Sequence, residues 1–181
     1  VPEELCLEVG ARVSATGEEL KPLTQVDLTK LRDSIQQQQP QAVAINLLFS
    51  YVSDSHERAI EKYLAENIVH DVLPDLFISR SSEVLPEYRE YERGMATWLN
   101  ACTGPLVQRY LQQLQHAVQP AAVSVMQSAG GTVGVKQAGN HAVQMLLSGP
   151  AGGLAGAQFV AAKNNLDRIM TFDMGGTSSD V

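Results

Sequence analysis

The residues best equipped for chemistry stand together at 171–181, in the stretch TFDMGGTSSDV. Asp173 offers a carboxylate, Gly175 and Gly176 reach backbone angles closed to other residues, and Thr177, Ser178, Ser179 and Asp180 crowd the turn with oxygen. Two uses fit these residue types. A strand, an acid, a double glycine and hydroxyls can bring backbone amides against a phosphate while the carboxylate holds Mg²⁺ or a water. The same residues also make an ordinary tight hairpin turn.

A second glycine-rich stretch runs Ser148-Gly149-Pro150-Ala151-Gly152-Gly153-Leu154-Ala155-Gly156-Ala157. Ser148 can cap a helix, Pro150 suits its first turn, and the pattern stays helical through Ala162. Each interior glycine costs such a helix about 1 kcal/mol relative to alanine, so the repetition needs a cause. Tight packing on a sheet and a face turned to a ligand are the two candidates. Gln127-Ser128-Ala129-Gly130-Gly131 forms a further glycine turn bearing polar side chains.

Other chemistries find little support. Cys6 and Cys102 lie far apart with no CxxC, and His56, His70, His116 and His141 are scattered, with no HExxH spacing. Neither a disulfide framework nor a zinc site is expected, and a reducing cytoplasm is the expected compartment. Net charge is −7, with nine basic and seventeen acidic groups before residue 95 and no basic stripe anywhere, so no nucleic-acid surface is expected. The longest apolar runs, such as 42–49, fall far short of the roughly 20 residues that span a bilayer, and no membrane partner is expected. The chain opens on Val1-Pro2-Glu3 without an initiator Met, and is expected to be a segment of something longer.

The elements that must position these residues follow from periodicity. Leu7–Val9 and Arg12-Val13 read as short strands, with a turn at 15–18. A helix is predicted from near Thr24, with Val26, Leu28, Leu31 and Ile35 on its apolar face and the glutamine run before Pro40 ending it. Ala42–Leu48 is nearly continuous apolar sequence, as in a strand buried on both faces of a parallel sheet. Ser53–Glu57 supplies capping oxygens and dipole-facing acids to a helix carrying Ile60, Leu64 and Ile68, and 76–79 is the next strand. This order indicates an α/β arrangement with right-handed crossovers. The charged stretch 81–93 reads either as a solvated loop entering a helix or as the lining of a cleft. From Tyr91 to Val118 a helix is predicted with apolar stripes at Met95, Trp98, Leu99, Cys102 and at Leu106, Tyr110, Leu111, Leu114, Val118. Pro105 should kink it or divide it in two. Ala122–Met126 is a strand, and 169–172 is the end of one that runs into Asp173.

With LLSGPAGGLAGA (146–157) and TFDMGGTSSDV (171–181) in view, the chain resembles the hydantoinase/oxoprolinase family. That family includes 5-oxoprolinase, the ATP-dependent N-methylhydantoinase A subunit and related subunits of acetone and acetophenone carboxylases. NLLFSYVSDSHE (46–57), SSEVLPEYREYER (81–93), LNACTGPLVQRYL (99–111) and VMQSAGG (125–131) stand in the order the family has them. The resemblance implies part of an actin/Hsp70/sugar-kinase-like, ribonuclease H-like nucleotide fold, in which two α/β domains close over ATP and Mg²⁺. It assigns 1–93 to the end of the family's N-terminal region and 94–181 to the start of the hydantoinase A domain.

In such folds each domain gives one acidic, glycine-rich hairpin to the phosphates, and FDMGGTSSD matches the second. The D-x-G-G-T pattern of the first is not repeated in residues 1–170. By this resemblance Asp173 coordinates Mg²⁺ or orients a water, Gly175, Gly176, Thr177 and Ser178 offer amides and hydroxyls to phosphate, and Asp180 is a second acid or a hairpin cap. Two departures stand out: Ala129 occupies a place where the family carries Asn or Asp, which argues against a catalytic role for that turn, and Ser179 replaces the usual Thr.

The implied reaction of the parent is ATP-driven opening of a small cyclic amide such as 5-oxoproline or a hydantoin. Phosphorylation of the amide oxygen makes a poor electrophile attackable by water. A second subunit of a hydantoinase or carboxylase complex is the implied partner. A carboxylase segment or a non-catalytic α/β assembly module are the alternatives, and the isolated 181 residues are expected to be inactive.

Overall fold

The computed structural model describes residues 2–69, 72–176 and 179–180. The chain is mixed α/β and divides into two units, residues 1–105 and 106–181.

In the first unit β1 (Arg12–Val13) and β2 (Glu19–Lys21) form an antiparallel hairpin. It turns at Gly17, where φ is +89° and a Cβ would also crowd Val52 at 3.2 Å. Leu7–Val9, expected as a strand, is not one. A strand needs a ladder partner, and among the described residues none lies beside it.

Helix α1 (Gln25–Gln38) starts where the sequence places it. Thr24 Oγ1 accepts from the Asp27 amide at 3.2 Å, and the Asp27 carboxylate accepts from the Thr24 amide at 3.1 Å. Gln39, in the left-handed region, ends it. The buried face is Leu31 and Ile35, while Val26 stays exposed.

Strand β3 (Ala42–Ile45) pairs in parallel with β4 (Phe77–Arg80), in register from Ala42–Phe77 to Ile45–Arg80. Helix α2 (Ser55–Leu64), continued by a π-helical stretch Ala65–Val69, joins the two strands. Leu31, Ile35, Ile45, Ile60, Leu64, Ile68 and Leu76 form the core. β3 is shorter than its apolar run because side chains take the backbone of Leu47: its N–H donates to Glu57 Oε1 and its carbonyl accepts from Arg93 Nη2. Phe49 then turns the chain at φ 60°. β3 is not buried on both faces: Ile45 is buried and Ala44 is exposed.

The charged stretch after β4 is a solvated loop only in part: residues 86–92 are exposed and lead into a helix, but its two ends are buried. Ser81 and Val84, in the short helix α3 (Ser81–Val84), are buried, as is Arg93 in α4 (Glu90–Ala117). α4 is assigned as one helix through Pro105, not two. Its buried face in the first unit also departs from the apolar stripe. Arg93, Thr97, Asn100, Ala101 and Gly104 are buried, whereas Met95, Trp98 and Cys102 are exposed. The polar members bury because they are bonded: Thr97 Oγ1 donates to the Arg93 carbonyl at 2.7 Å, and Asn100 Nδ2 donates to Ser79 Oγ at 3.0 Å. Gly104 sits against Phe77, where a Cβ would lie 2.3 Å from a ring carbon.

The second unit holds an antiparallel hairpin, β5 (Ser124–Met126) and β6 (Thr132–Gly134), turning at Gly130 and Gly131 with φ +82° and +85°. Helix α5 (Val135–Asn140) and a 3₁₀ turn Ala142–Met145 lead to helix α6 (Ser148–Lys163). Ser148 does not cap α6: it is the first helical residue, and Leu147 occupies the cap position at φ 60° with no side-chain bond. The chain closes with β7 (Asp173–Met174) and β8 (Ser179–Asp180). Residues 169–172 are not strand, since pairing with β8 reaches back only to Asp173. Among the described residues no helix is long and apolar enough to cross a membrane.

Candidate functional site

The chemistry-bearing stretch forms the antiparallel hairpin β7–β8, with Asp173 opposite Asp180 and Met174 opposite Ser179. The register thus brings two acidic residues and Ser179 to the base of a connection that contains Gly175 and Gly176. Thr177 and Ser178 lie outside the described residues. Asp173 is exposed and makes no hydrogen bond or ion pair among the described residues, so its carboxylate has no structural task there. A Cβ at Gly176 would meet nothing within 4 Å, and close packing within the chain does not explain that glycine.

Among the described residues no group of three or more His, Cys, Asp or Glu side chains could hold a metal. Mg²⁺ keeps several waters and is held through one or two carboxylates plus phosphate oxygens, and an exposed Asp173 can supply one such carboxylate.

The other glycine-rich segments separate in character. In α6 a Cβ at Gly149, Gly153 or Gly156 would meet nothing within 4 Å, and at Gly152 it would make ordinary contact with Met126 at 3.5 Å. Helix α6 packs on β5 at Gly152, but the open space at Gly149, Gly153 and Gly156 means that packing on this sheet does not account for those three. The 127–131 turn is instead tied down: the Ser128 amide and hydroxyl donate to the Gln144 carbonyl at 2.8 and 3.0 Å, and Gln127 Nε2 donates to Gln144 Oε1 at 2.6 Å.

Sequence reasoning missed a buried polar network under the first unit's β-α-β layer. Glu57, expected as a dipole-facing acid, has no exposed surface. Its Oε1 accepts from the Leu47 amide at 2.8 Å and Ser81 Oγ at 2.6 Å, and its Oε2 accepts from the Ser82 amide at 2.9 Å. Ser81 spends its one proton on Glu57, so Ser50 Oγ, 2.9 Å away, donates to it. Arg93 Nε donates to the same Ser81 oxygen, while its Nη1 and Nη2 donate to the carbonyls of Glu87 and Leu47. Tyr51 stacks on the guanidinium at 5.5 Å. Beside this, Arg80 donates to Glu61 at 2.6 Å, Glu83 at 2.8 Å and Ser82 at 2.9 Å. No buried side-chain nitrogen or oxygen among the described residues lacks a partner. The network binds the 46–57 and 81–93 stretches into one body. Glu57, Ser81 and Arg93 at its centre are sealed from solvent, so their task is to fix backbone.

Comparison with known proteins draws the two regions together. The hydantoinase/oxoprolinase N-terminal region matches residues 1–68, and the hydantoinase/oxoprolinase domain matches 93–181. The caprolactamase alpha subunit of Pseudomonas jessenii is 34% identical over 187 residues, covering 100% of this chain and 26% of its own length. The 5-oxoprolinase of Saccharomyces cerevisiae is 35% identical over 145 residues, covering 77% of this chain and 11% of its own. The crystal structure of the ATP-dependent caprolactamase from Pseudomonas jessenii superposes with a TM-score of 0.78 at 33% identity, over 99% of this chain and 26% of that one. The chain thus spans about a quarter or less of the length of these relatives. Matched at both ends by models of one family, and along its whole length by a member's sequence and fold, the chain belongs to the hydantoinase/oxoprolinase family.

Proposed function

We propose that these 181 residues are part of an ATP-dependent hydrolase of small cyclic amides, working in the cytoplasm with a second subunit. The observation that carries this is Asp173: an exposed carboxylate without a partner among the described residues, at the base of a Gly-Gly hairpin, in a chain similar from end to end to a caprolactamase subunit. In this reading β7–β8 is one of two phosphate-facing hairpins of an actin- and sugar-kinase-like nucleotide domain. Residues 1–93 close the family's N-terminal region and 94–181 open the hydantoinase A domain.

Bound Mg²⁺-ATP would supply the phosphoryl group that activates the amide oxygen. Asp173 holds the cation or its water, with Asp180 opposite as a second acid. Gly175 and Gly176 leave backbone amides uncovered by side chains, and Thr177 and Ser178 add hydroxyl donors. Fixed donors of this kind stabilise charge as it develops on the transferring group. No D-x-G-G-T turn occurs in residues 1–170, so the other hairpin belongs elsewhere in the longer protein, and the 181 residues alone do not hydrolyse ATP.

The test is lactam-dependent phosphate release by the longer protein carrying Asp173→Asn. Loss of one such group costs on the order of 100-fold or more in kcat, with circular dichroism unchanged. Wild-type turnover in that variant would remove Asp173 from the chemistry and the proposal with it.

A further inference from the structure

At the carboxyl end of β3, between the β1–β2 hairpin and the start of α2, lies a cleft of about 300 Å³ formed wholly within the first unit. Ligands of α/β units bind outside the carboxyl ends of parallel strands, where the connecting loops converge. Leu7, Val9 and Leu48 give this cleft apolar wall, and Arg12, Asn46 and His56 give it polar groups.

His56 is the informative member. It is 6% exposed, and its Nε2 lies 2.7 Å from Glu19 Oε1. A carboxylate only accepts, so Nε2 carries the proton and Nδ1 of the neutral ring keeps a lone pair. Nδ1 has no partner among the described residues, yet no buried side-chain nitrogen there is left unsatisfied. Nδ1 is therefore reached from solvent, and His56 is among the residues that line the cleft. An imidazole held by a carboxylate on one nitrogen and open on the other is an oriented acceptor. Arg12 and Asn46 line the same cleft, and their side chains make no hydrogen bond or ion pair among the described residues.

The geometry points to this cleft as the seat of a small secondary cyclic amide. In a small lactam the amide is held cis, so its N–H and C=O lie on adjacent edges of the ring. His56 Nδ1 takes the N–H, Arg12 or Asn46 donates to the carbonyl, and the methylenes lie on the apolar wall. This assignment rests on the proposed function and adds to it where the substrate binds. His56 is then a binding residue, oriented by Glu19.

The test titrates the 181-residue chain with 2-pyrrolidone and, in parallel, with N-methyl-2-pyrrolidone, following the His56 ring nitrogens by NMR. The expected result is saturable binding on the order of millimolar, as suits so small a ligand, with the His56 Nδ1 resonance moving. The N-methyl ring, which has no N–H to give, should bind about tenfold more weakly, and His56→Gln should weaken 2-pyrrolidone binding to a similar extent. Equal binding of the two rings, saturation that leaves the His56 ring unmoved, or no saturation up to the solubility limit would each overturn the assignment. Should it fall while the longer protein still needs Asp173 for lactam-dependent phosphate release, only the location is wrong. Failure of both removes the proposed function too.

Discussion

Arg93 and Glu57 are charged residues with no exposed surface, joined through one serine hydroxyl. Burying an ion is costly unless each of its polar atoms is bonded, and here all are. Arg93→Met should therefore strand the carbonyls of Glu87 and Leu47 and leave the Glu57 charge without its neighbour. We expect a loss of about 3–5 kcal/mol in urea unfolding; a loss below about 1 kcal/mol would make the network ornamental. At the start of α1, Asp27 is held below the usual carboxylate range, first by the Thr24 hydroxyl and then by the Thr24 amide. Its folded pKa lies below its unfolded one. Its contribution is thus fully present above about pH 3.9 and fades as pH falls through the lower folded value. Thr24→Ala should raise the Asp27 midpoint toward the ordinary value in a carboxyl NMR titration, and an unmoved midpoint would deny the cap its role.

Glycines of different elements stand under opposite constraints. Gly104 in α4 has no room, since its Cβ would meet the Phe77 ring at 2.3 Å, whereas Gly153 in α6 has open space around it. Gly104→Ala should destabilise the 181-residue chain by about 1–3 kcal/mol through overpacking. Gly153→Ala should stabilise it by up to about 1 kcal/mol through helix propensity, and thermal unfolding of the pair checks both signs. Helix α1 was legible because its signals are local: a cap, an acid three residues on, and apolar residues at helical spacing. The face of α4 was not, because Thr97, Asn100 and Arg93 are buried by bonds, several to residues 12 to 46 positions away, and no periodicity encodes such partners. Met95 and Trp98, on the predicted apolar stripe, both stay exposed. β3 was foreseen as a strand but not its early end, which side chains from 10 and 46 residues downstream impose on Leu47.

For the molecule as a whole, the two units carry different features. The first holds the buried network and the His56 cleft, and the second ends in the Asp173 hairpin. The hairpin at 171–181 was legible in sequence because its acid, double glycine and hydroxyls stand side by side in the chain. The cleft went unread because Glu19, His56 and Arg12 converge only after β1, β2 and α2 assemble. The central claim is the proposal that the Asp173 hairpin is half of a phosphate site. The most direct measurement is calorimetric titration of Mg²⁺-ATP into the 181-residue chain, into a chain extended at both ends, and into that extended chain with Asp173→Asn. The account predicts binding by the extended chain alone, weakened at least tenfold by Asp173→Asn. Binding by the 181 residues as tight as by the extended chain, or binding indifferent to Asp173, would contradict it.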